Sequence, residues 1–314
     1  MSKLPLLVVL LLAVVAISGC TGGPVSGAGG GAGVVIEAFE PDFPQIFVGE
    51  KAELRLKVKN AGGVDSKAGI ASILGVDDST VKIYGSQGTI FDSTISSSSQ
   101  YCVLNNLLAA DPTKGTSGEI QTCRFTFEPR TDAKIPVGIT IQYTPIVRLT
   151  YGYSTSSIKS ISFLASNEMR ALQDSGRPLP AETVTSTSGP ISILINTKGP
   201  IRTFENSVTF PIEIAVSNVG GGVVCDGGCE KADTWNRVKL EYNFKNKMDG
   251  GNACPEYVQL FRGQSNTVTC KITEPDIGTV GAIQKLYQVT ATYNYFVEKS
   301  TSITVTGREG GARG

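Results

Sequence analysis

Apolar and polar residues alternate along much of this chain. In Ala52-Glu53-Leu54-Arg55-Leu56-Lys57-Val58-Lys59-Asn60, the aliphatic residues Leu54, Leu56 and Val58 share one side and most charges take the other. Phe210-Pro211-Ile212-Glu213-Ile214-Ala215-Val216-Ser217-Asn218 repeats the arrangement with Ile212, Ile214 and Val216. Period-two alternation predicts a strand buried on one face. Both strands run into an Asn-x-Gly-Gly turn, at residues 60–63 and 218–221. The same punctuated pattern recurs from residue 34 to residue 306, which predicts many short strands and very little helix.

The likeness between the two stretches continues in order. Cys102 and Cys123 correspond to Cys254 and Cys270, and the second cysteine of each pair lies on a strand that meets Glu-Pro, at Glu128-Pro129 and Glu274-Pro275. Leu149-Thr150-Tyr151-Gly152-Tyr153 is matched by Ala291-Thr292-Tyr293-Asn294-Tyr295, and a last short strand over 158–163 by one over 302–305. Each tyrosine pair shares one strand face, which suits core packing with the hydroxyls reaching backbone partners. The expectation is an all-β protein of two tandem immunoglobulin-like β-sandwiches, residues 34–165 and 190–307. Residues 166–189 read as a linker with a short helix, capped at Ser166-Asn167-Glu168 and ended by Gly176. Residues 308–314 read as a disordered tail. The Lys59-Asn60-Ala61-Gly62-Gly63 ending resembles the CARDB-type adhesion-related domains of archaeal and bacterial surface proteins. There too an aliphatic strand ends in Asn-x-Gly, and the resemblance implies a fold and a surface location only.

The N-terminal region departs from alternation. One lysine, Lys3, precedes an apolar run over residues 4–17, followed by Ser18-Gly19-Cys20. This layout is that of a secretory signal, residues 1–19. Ile17, Ser18, Gly19 and Cys20 resemble the lipobox of prokaryotic lipoproteins. That resemblance implies that the Cys20 thiol is lipidated and that Cys20 becomes the mature N-terminus. A transmembrane anchor needs ~20 apolar residues, more than this run holds, and an ordinary secretion signal leaves Cys20 unexplained. Residues 20–33 then form a Gly-rich tether with a reach of roughly 20 Å.

Composition narrows the chemistry. Lys+Arg and Asp+Glu balance at 28 each, so no net field favours nucleic acid. The chain contains no histidine, which excludes Ser-His-Asp and Cys-His triads and two-His zinc sites. Setting Cys20 aside leaves Cys102, Cys123, Cys225, Cys229, Cys254 and Cys270, an even set that reads as three disulfides in an exported chain. Cys102 with Cys123 leaves three pairings for the rest, of which Cys225–Cys229 with Cys254–Cys270 is favoured.

Cys225-Asp226-Gly227-Gly228-Cys229 is the sharpest local motif. It predicts a small ring bracing a glycine-rich loop, and a stiff loop on a scaffold suits recognition. A redox dithiol has Cys-x-x-Cys before a helix instead, and a four-Cys zinc site is disfavoured by spacing and export. Asp77-Asp78 and Asp226 lack the acidic run that calcium needs and read as solvated turns. Trp235, the single tryptophan, reads as a core residue or a cap on the loop, with the core favoured. Glu128 and Glu274 read as repeat positions rather than as an acid–base pair. No catalytic residue, metal ligand or cofactor is expected. The functional expectation is a non-enzymatic, lipid-anchored surface spacer or interaction module that meets an envelope protein or glycan. The alternative is a subunit of a surface filament or layer joined by strand exchange, with residues 33–39 as the donor strand.

Overall fold

The computed structural model describes residues 31–86, 101–111, 113–130, 135–248, 250–278 and 281–308. The leader, Cys20, most of the tether and residues 309–314 lie outside the described residues. The first strands are β1 (Val34–Pro41), β2 (Gln45–Phe47), β3 (Ala52–Asn60), β4 (Gly69–Leu74), β5 (Val81–Ser86), β6 (Tyr101–Leu104), β7 (Ile120–Pro129), β8 (Thr140–Tyr143) and β9 (Ile146–Ala165). Helix α1 (Ser166–Asp174) follows, then β10 (Val184–Ser186), β11 (Ile191–Asn196), β12 (Ile201–Thr203), β13 (Val208–Asn218) and β14 (Val223–Cys225). The last strands are β15 (Arg237–Tyr242), β16 (Tyr257–Gln259), β17 (Ser265–Glu274), β18 (Ala282–Ser300) and β19 (Ile303–Thr306). The protein is all-β, and among the described residues no helix is long and apolar enough to cross a membrane.

The two halves are not separate beads. β9 and β18 pair antiparallel along their whole length, from Ile146 opposite Ser300 to Leu164 opposite Ala282. The same register resumes beyond a short break, where β8 pairs with β19 from Tyr143 opposite Ile303 to Thr140 opposite Thr306. Residues 140–165 and 282–306 thus form one two-stranded spine, roughly 80 Å long at ~3.3 Å per residue. In its middle the spine belongs to a nine-stranded sheet, ordered β16-β15-β18-β9-β4-β6 with β10, β12 and β14 added to the two long strands. A four-stranded sheet, β1-β3-β7-β5, and a three-stranded sheet, β11-β13-β17, accompany it. Leu54, Leu56, Val58, Phe125 and Phe127 from one and Ile193, Ile212, Ile214 and Val216 from the other join Val147, Leu149, Ile161 and Val289 of the spine in a single core.

The halves also exchange their last strands. The C-terminal end of β9 pairs in parallel with β12 of the second half, Phe163 opposite Ile201. In the same way β19 pairs in parallel with β2 of the first half, Val305 opposite Ile46. The short strands matched at 158–163 and 302–305 therefore do equivalent work, although the first is the unbroken continuation of β9 and the second stands alone. Residues 33–39 are no free donor, because β1 is paired with β3 from Val34 opposite Asn60 onward.

Gly152 and Asn294 hold the same place in the repeat and face each other in the ladder. The ladder register is symmetric about this pair, so the two strands are related by an approximate two-fold axis between them. Around it Tyr151, Tyr153, Tyr293 and Tyr295 form a closed ring, with neighbouring centroids 5.9–6.4 Å apart. Tyr151 Oη accepts from the Val34 N–H and Tyr293 Oη from the equivalent Ile191 N–H. Tyr153 Oη accepts from Val64 N–H and Tyr295 Oη from Gly222 N–H. Burial raises all four phenols above their usual value, so they stay protonated and neutral. Each Asn-x-Gly-Gly turn is tied in beside them. Asn60 donates to the carbonyls of Val64 and Leu107, and Asn218 to those of Gly222 and Gly263. Gly31 N–H donates to Gly189 O, and Gly63 N–H to Ser188 O, which itself accepts from Tyr153 Oη. The first described residues therefore enter at mid-spine, on the face toward which the tyrosines point.

The segment 166–189 carries helix α1, ended by Gly176 at φ 63°. Ser166 does not cap it: its hydroxyl donates to Thr203 O. Beyond the helix, the stretch read as loose from its polarity adds β10 to the edge of β9. A nearly buried ion pair, Lys159 Nζ to Glu182 Oε2 at 3.1 Å, fixes it there.

Because both halves share one core along the spine, thermal unfolding followed by calorimetry is expected to give one transition, not two. Deleting residues 303–308 removes Ile303 and Val305, both fully buried, and bares β2 and β8. At ~1.5–3 kcal/mol per buried aliphatic side chain, the loss is about 3–6 kcal/mol in urea denaturation. An unchanged midpoint would show that β19 is dispensable.

Candidate functional site

The even-numbered residues of β9 look away from the tyrosine ring, onto the outer face of the nine-stranded sheet. There the second half carries a loop for which the first half has no counterpart. In the first half, the Asn60 turn passes to β4 through residues 64–68. In the second, the Asn218 turn leads into β14 and the cysteine loop before β15 begins at Arg237.

The six cysteines form three disulfides, Cys102–Cys123, Cys225–Cys229 and Cys254–Cys270. Three such bridges mark an oxidising, exported compartment. Cys102 on β6 and Cys123 on β7 tie the nine-stranded sheet to the smaller sheet of the first half. Cys254, just before β16, and Cys270 on β17 do the same in the second. The two bridges are not in step: Cys123 faces Leu56, four residues before Asn60, whereas Cys270 faces Ile212, six before Asn218.

The Cys225–Cys229 ring closes over Asp226, Gly227 and Gly228, with Gly227 at φ 82°. The ring is anchored in several directions. Asp226 N–H donates to Thr234 O, the Thr234 hydroxyl donates to Gly228 O, and Asn294 Nδ2 donates to Gly227 O. Asp226 pairs with Arg237 at 3.4 Å. Trp235 caps this loop instead of entering the main core. Its indole N–H donates to Cys229 O at 2.9 Å, and its ring packs on Phe296 at 5.4 Å. With Val223, Cys225 and Cys229 these rings form a satellite cluster apart from the main core. The reason is local: Cys225 bridges directly to Trp235, so the indole lies over the ring it closes.

Beside this loop lies a groove of about 480 Å³ across β4 and β9. Ile70 and Leu74 line one side, 51% and 38% exposed, and Cys229 and Glu230 form the opposite wall. Arg148 reaches its end, held by Glu298 at 2.6 Å and stacked 4.5 Å over Phe296. Arg148, Phe296, Trp235 and Cys229 thus connect floor to wall through side chains. The arrangement offers apolar contact, a carboxylate, a guanidinium and backbone groups, but it presents no nucleophile with an adjacent base. Among the described residues no group of three or more Cys, Asp or Glu is placed to hold a metal. Sequence reading found the loop through its cysteines. It missed Ile70, Leu74, Arg148 and Phe296, which carry no motif and meet only through the spine.

The remaining acidic candidates are structural. Asp77 accepts from Ser79 N–H in a turn. Glu128 and Glu274 are not equivalent: Glu128 faces outward and pairs with Lys51 at 3.0 Å, while Glu274 is 1% exposed. The first lies five residues after its cysteine and the second four, so they point to opposite faces of their strands. Glu274 Oε1 meets Lys285 at 2.6 Å and Lys247 at 2.9 Å, and Oε2 accepts from Tyr287 Oη at 2.7 Å. Burial works against its ionisation. The hydrogen bonds from Lys285, Tyr287 and Lys247 outweigh burial and hold the carboxyl below its ordinary 4.5.

No protein-family model matches the sequence, and no curated protein is significantly similar to it.

A carboxyl that binds its proton more weakly when folded stabilises the fold above its unfolded pKa and loses that contribution as pH falls. Glu274→Gln is therefore expected to cost about 1–3 kcal/mol at neutral pH, the range for weakening hydrogen bonds to a charged group, because Lys247 and Lys285 are 31% and 29% exposed and water can reach them. It should also flatten the loss of stability below pH ~4.5, a window set by the free carboxyl. Urea titrations from pH 7 to 3 check both. For the loop, Cys225→Ser with Cys229→Ser should red-shift Trp235 emission while leaving far-ultraviolet circular dichroism intact. An unshifted spectrum would mean that the ring does not hold the indole.

Proposed function

We propose that this protein is an exported, lipid-anchored binding module without catalytic activity, which meets an envelope protein or glycan in the groove between β4 and the Cys225–Cys229 loop. The observation that carries the reading is the braced loop overhanging an open sheet face. A floppy glycine loop has been fixed by a disulfide, a tryptophan cap and hydrogen bonds to a neighbouring strand, and it walls a groove with exposed aliphatic residues on its other side. Rigid walls lower the entropy cost of binding. The lipobox-like leader and the tether support attachment at the membrane surface, and the lack of histidine agrees with binding rather than turnover.

A filament subunit joined by strand exchange has less support. Its candidate donor belongs almost entirely to a paired strand, and the exchange that exists closes within the chain.

The test has two arms. A photo-crosslinking residue at Ser72, in the groove, is expected to capture a discrete adduct on intact cells, while one at the exposed Thr269 captures none. The Ser72 adduct should be lost with Ile70→Asp or Glu230→Lys. Equal labelling from both positions, or an adduct indifferent to both substitutions, would remove the groove from consideration. Separately, Cys20→Ser should move the protein out of the membrane fraction, and intact mass should show loss of residues 1–19 and an added lipid on the wild type.

A further inference from the structure

The spine has the geometry of an interface between two copies of one unit. Its register is symmetric about Gly152 and Asn294, the same repeat position on each strand. The tyrosine ring takes the same two residues from each half. Each half donates its last strand to the other and receives one in return. Neither half closes alone, because β2 and β8 have no strand between them until β19 arrives, and β12 and the start of β18 have none until the end of β9 does. These are the properties of an isologous, strand-exchanged pair.

We propose that a single repeat recognises a second copy of itself through this spine, and that the chain is the covalently joined form of that pair. Two first repeats turning about Gly152 would set Tyr151 against Tyr153 and Thr150 against Ser154, which keeps the ring of four phenols. The end of β9 would take the slot of β19, with Ile161 replacing Ile303 and Phe163 replacing Val305. Two differences make like pairing weaker than the native one. Phe163 is larger than the Val305 that fills the slot, and Arg148 would meet Ser156 in place of Glu298, with which it now pairs at 2.6 Å. The natural partner of each repeat is therefore the other, with itself as the next choice.

A protease site inserted at Gly176-Arg177, in the exposed turn after α1, allows the folded, oxidised full chain to be cut. The two fragments are expected to stay together on dilution without denaturant. The fragments are then separated in guanidinium, and the N-terminal one is refolded with its disulfide intact. Sedimentation equilibrium should show twice its mass. A photo-crosslinker at Ser154 should link to residues 149–151 of the second copy, and adding the C-terminal fragment should displace the like pair. An N-terminal fragment that stays monomeric, folded or unfolded, or forms no discrete dimer, overturns the proposal. So does a dimer whose Ser154 crosslinks land elsewhere, or a cut chain that falls apart on dilution.

Discussion

Everything in this molecule depends on the antiparallel ladder between β9 and β18. Two strands of about twenty residues cannot stand with bare edges and an apolar face in water. Paired, they satisfy the facing edge of each other's backbone and supply one continuous floor, while β4, β10 and β12 meet the far edge of β9 and β14 and β15 that of β18. The smaller sheets of both halves contribute to the core above it. The tyrosine ring sits where these layers meet, and its hydroxyls accept from the buried N–H groups of Val34 and Ile191 and the part-buried ones of Val64 and Gly222. The fold is therefore a pair of β-sandwich repeats that share one ladder and one core.

The useful chemistry lies where the symmetry fails. The first half passes from its glycine turn to β4 by a short path, while the second half inserts a disulfide-closed loop at the same point. That insertion overhangs the other half's β4, so the groove has walls from both repeats. The remaining disulfides, one in each half, tie the layers together. They sit one same-face position out of step, which shows that the halves share a pairing scheme rather than a residue-by-residue plan.

The strands were legible because alternation is a local signal: Leu54, Leu56 and Val58, and Ile212, Ile214 and Val216, are buried as the pattern requires. The tyrosines were legible for the same reason, since two aromatics at spacing two must share a face. The joining of the halves was not. Nothing local in Ser154-Thr155-Ser156-Ser157 says that its partner strand begins 117 residues after the strand that contains it ends, and a polar run after a helix signal does not advertise that it will form a sheet edge. Trp235 misled because hydrophobic bulk usually goes to the main core, whereas here the backbone bridge to Cys225 holds the ring over the loop. Glu274 differed from Glu128 by a single residue of spacing, enough to turn one carboxylate inward.

Gly31 enters beside the tyrosine ring, at the midpoint of the spine and not at either end. A load applied through the N-terminal segment is therefore delivered to the pivot, with arms of equal reach on both sides. Equal sideways drag on the two arms gives opposite torques about that pivot, which cancel, and what remains is a plain pull through the segment. An end-mounted rod would peel from its last strand; a centrally mounted one must be pulled against both halves at once.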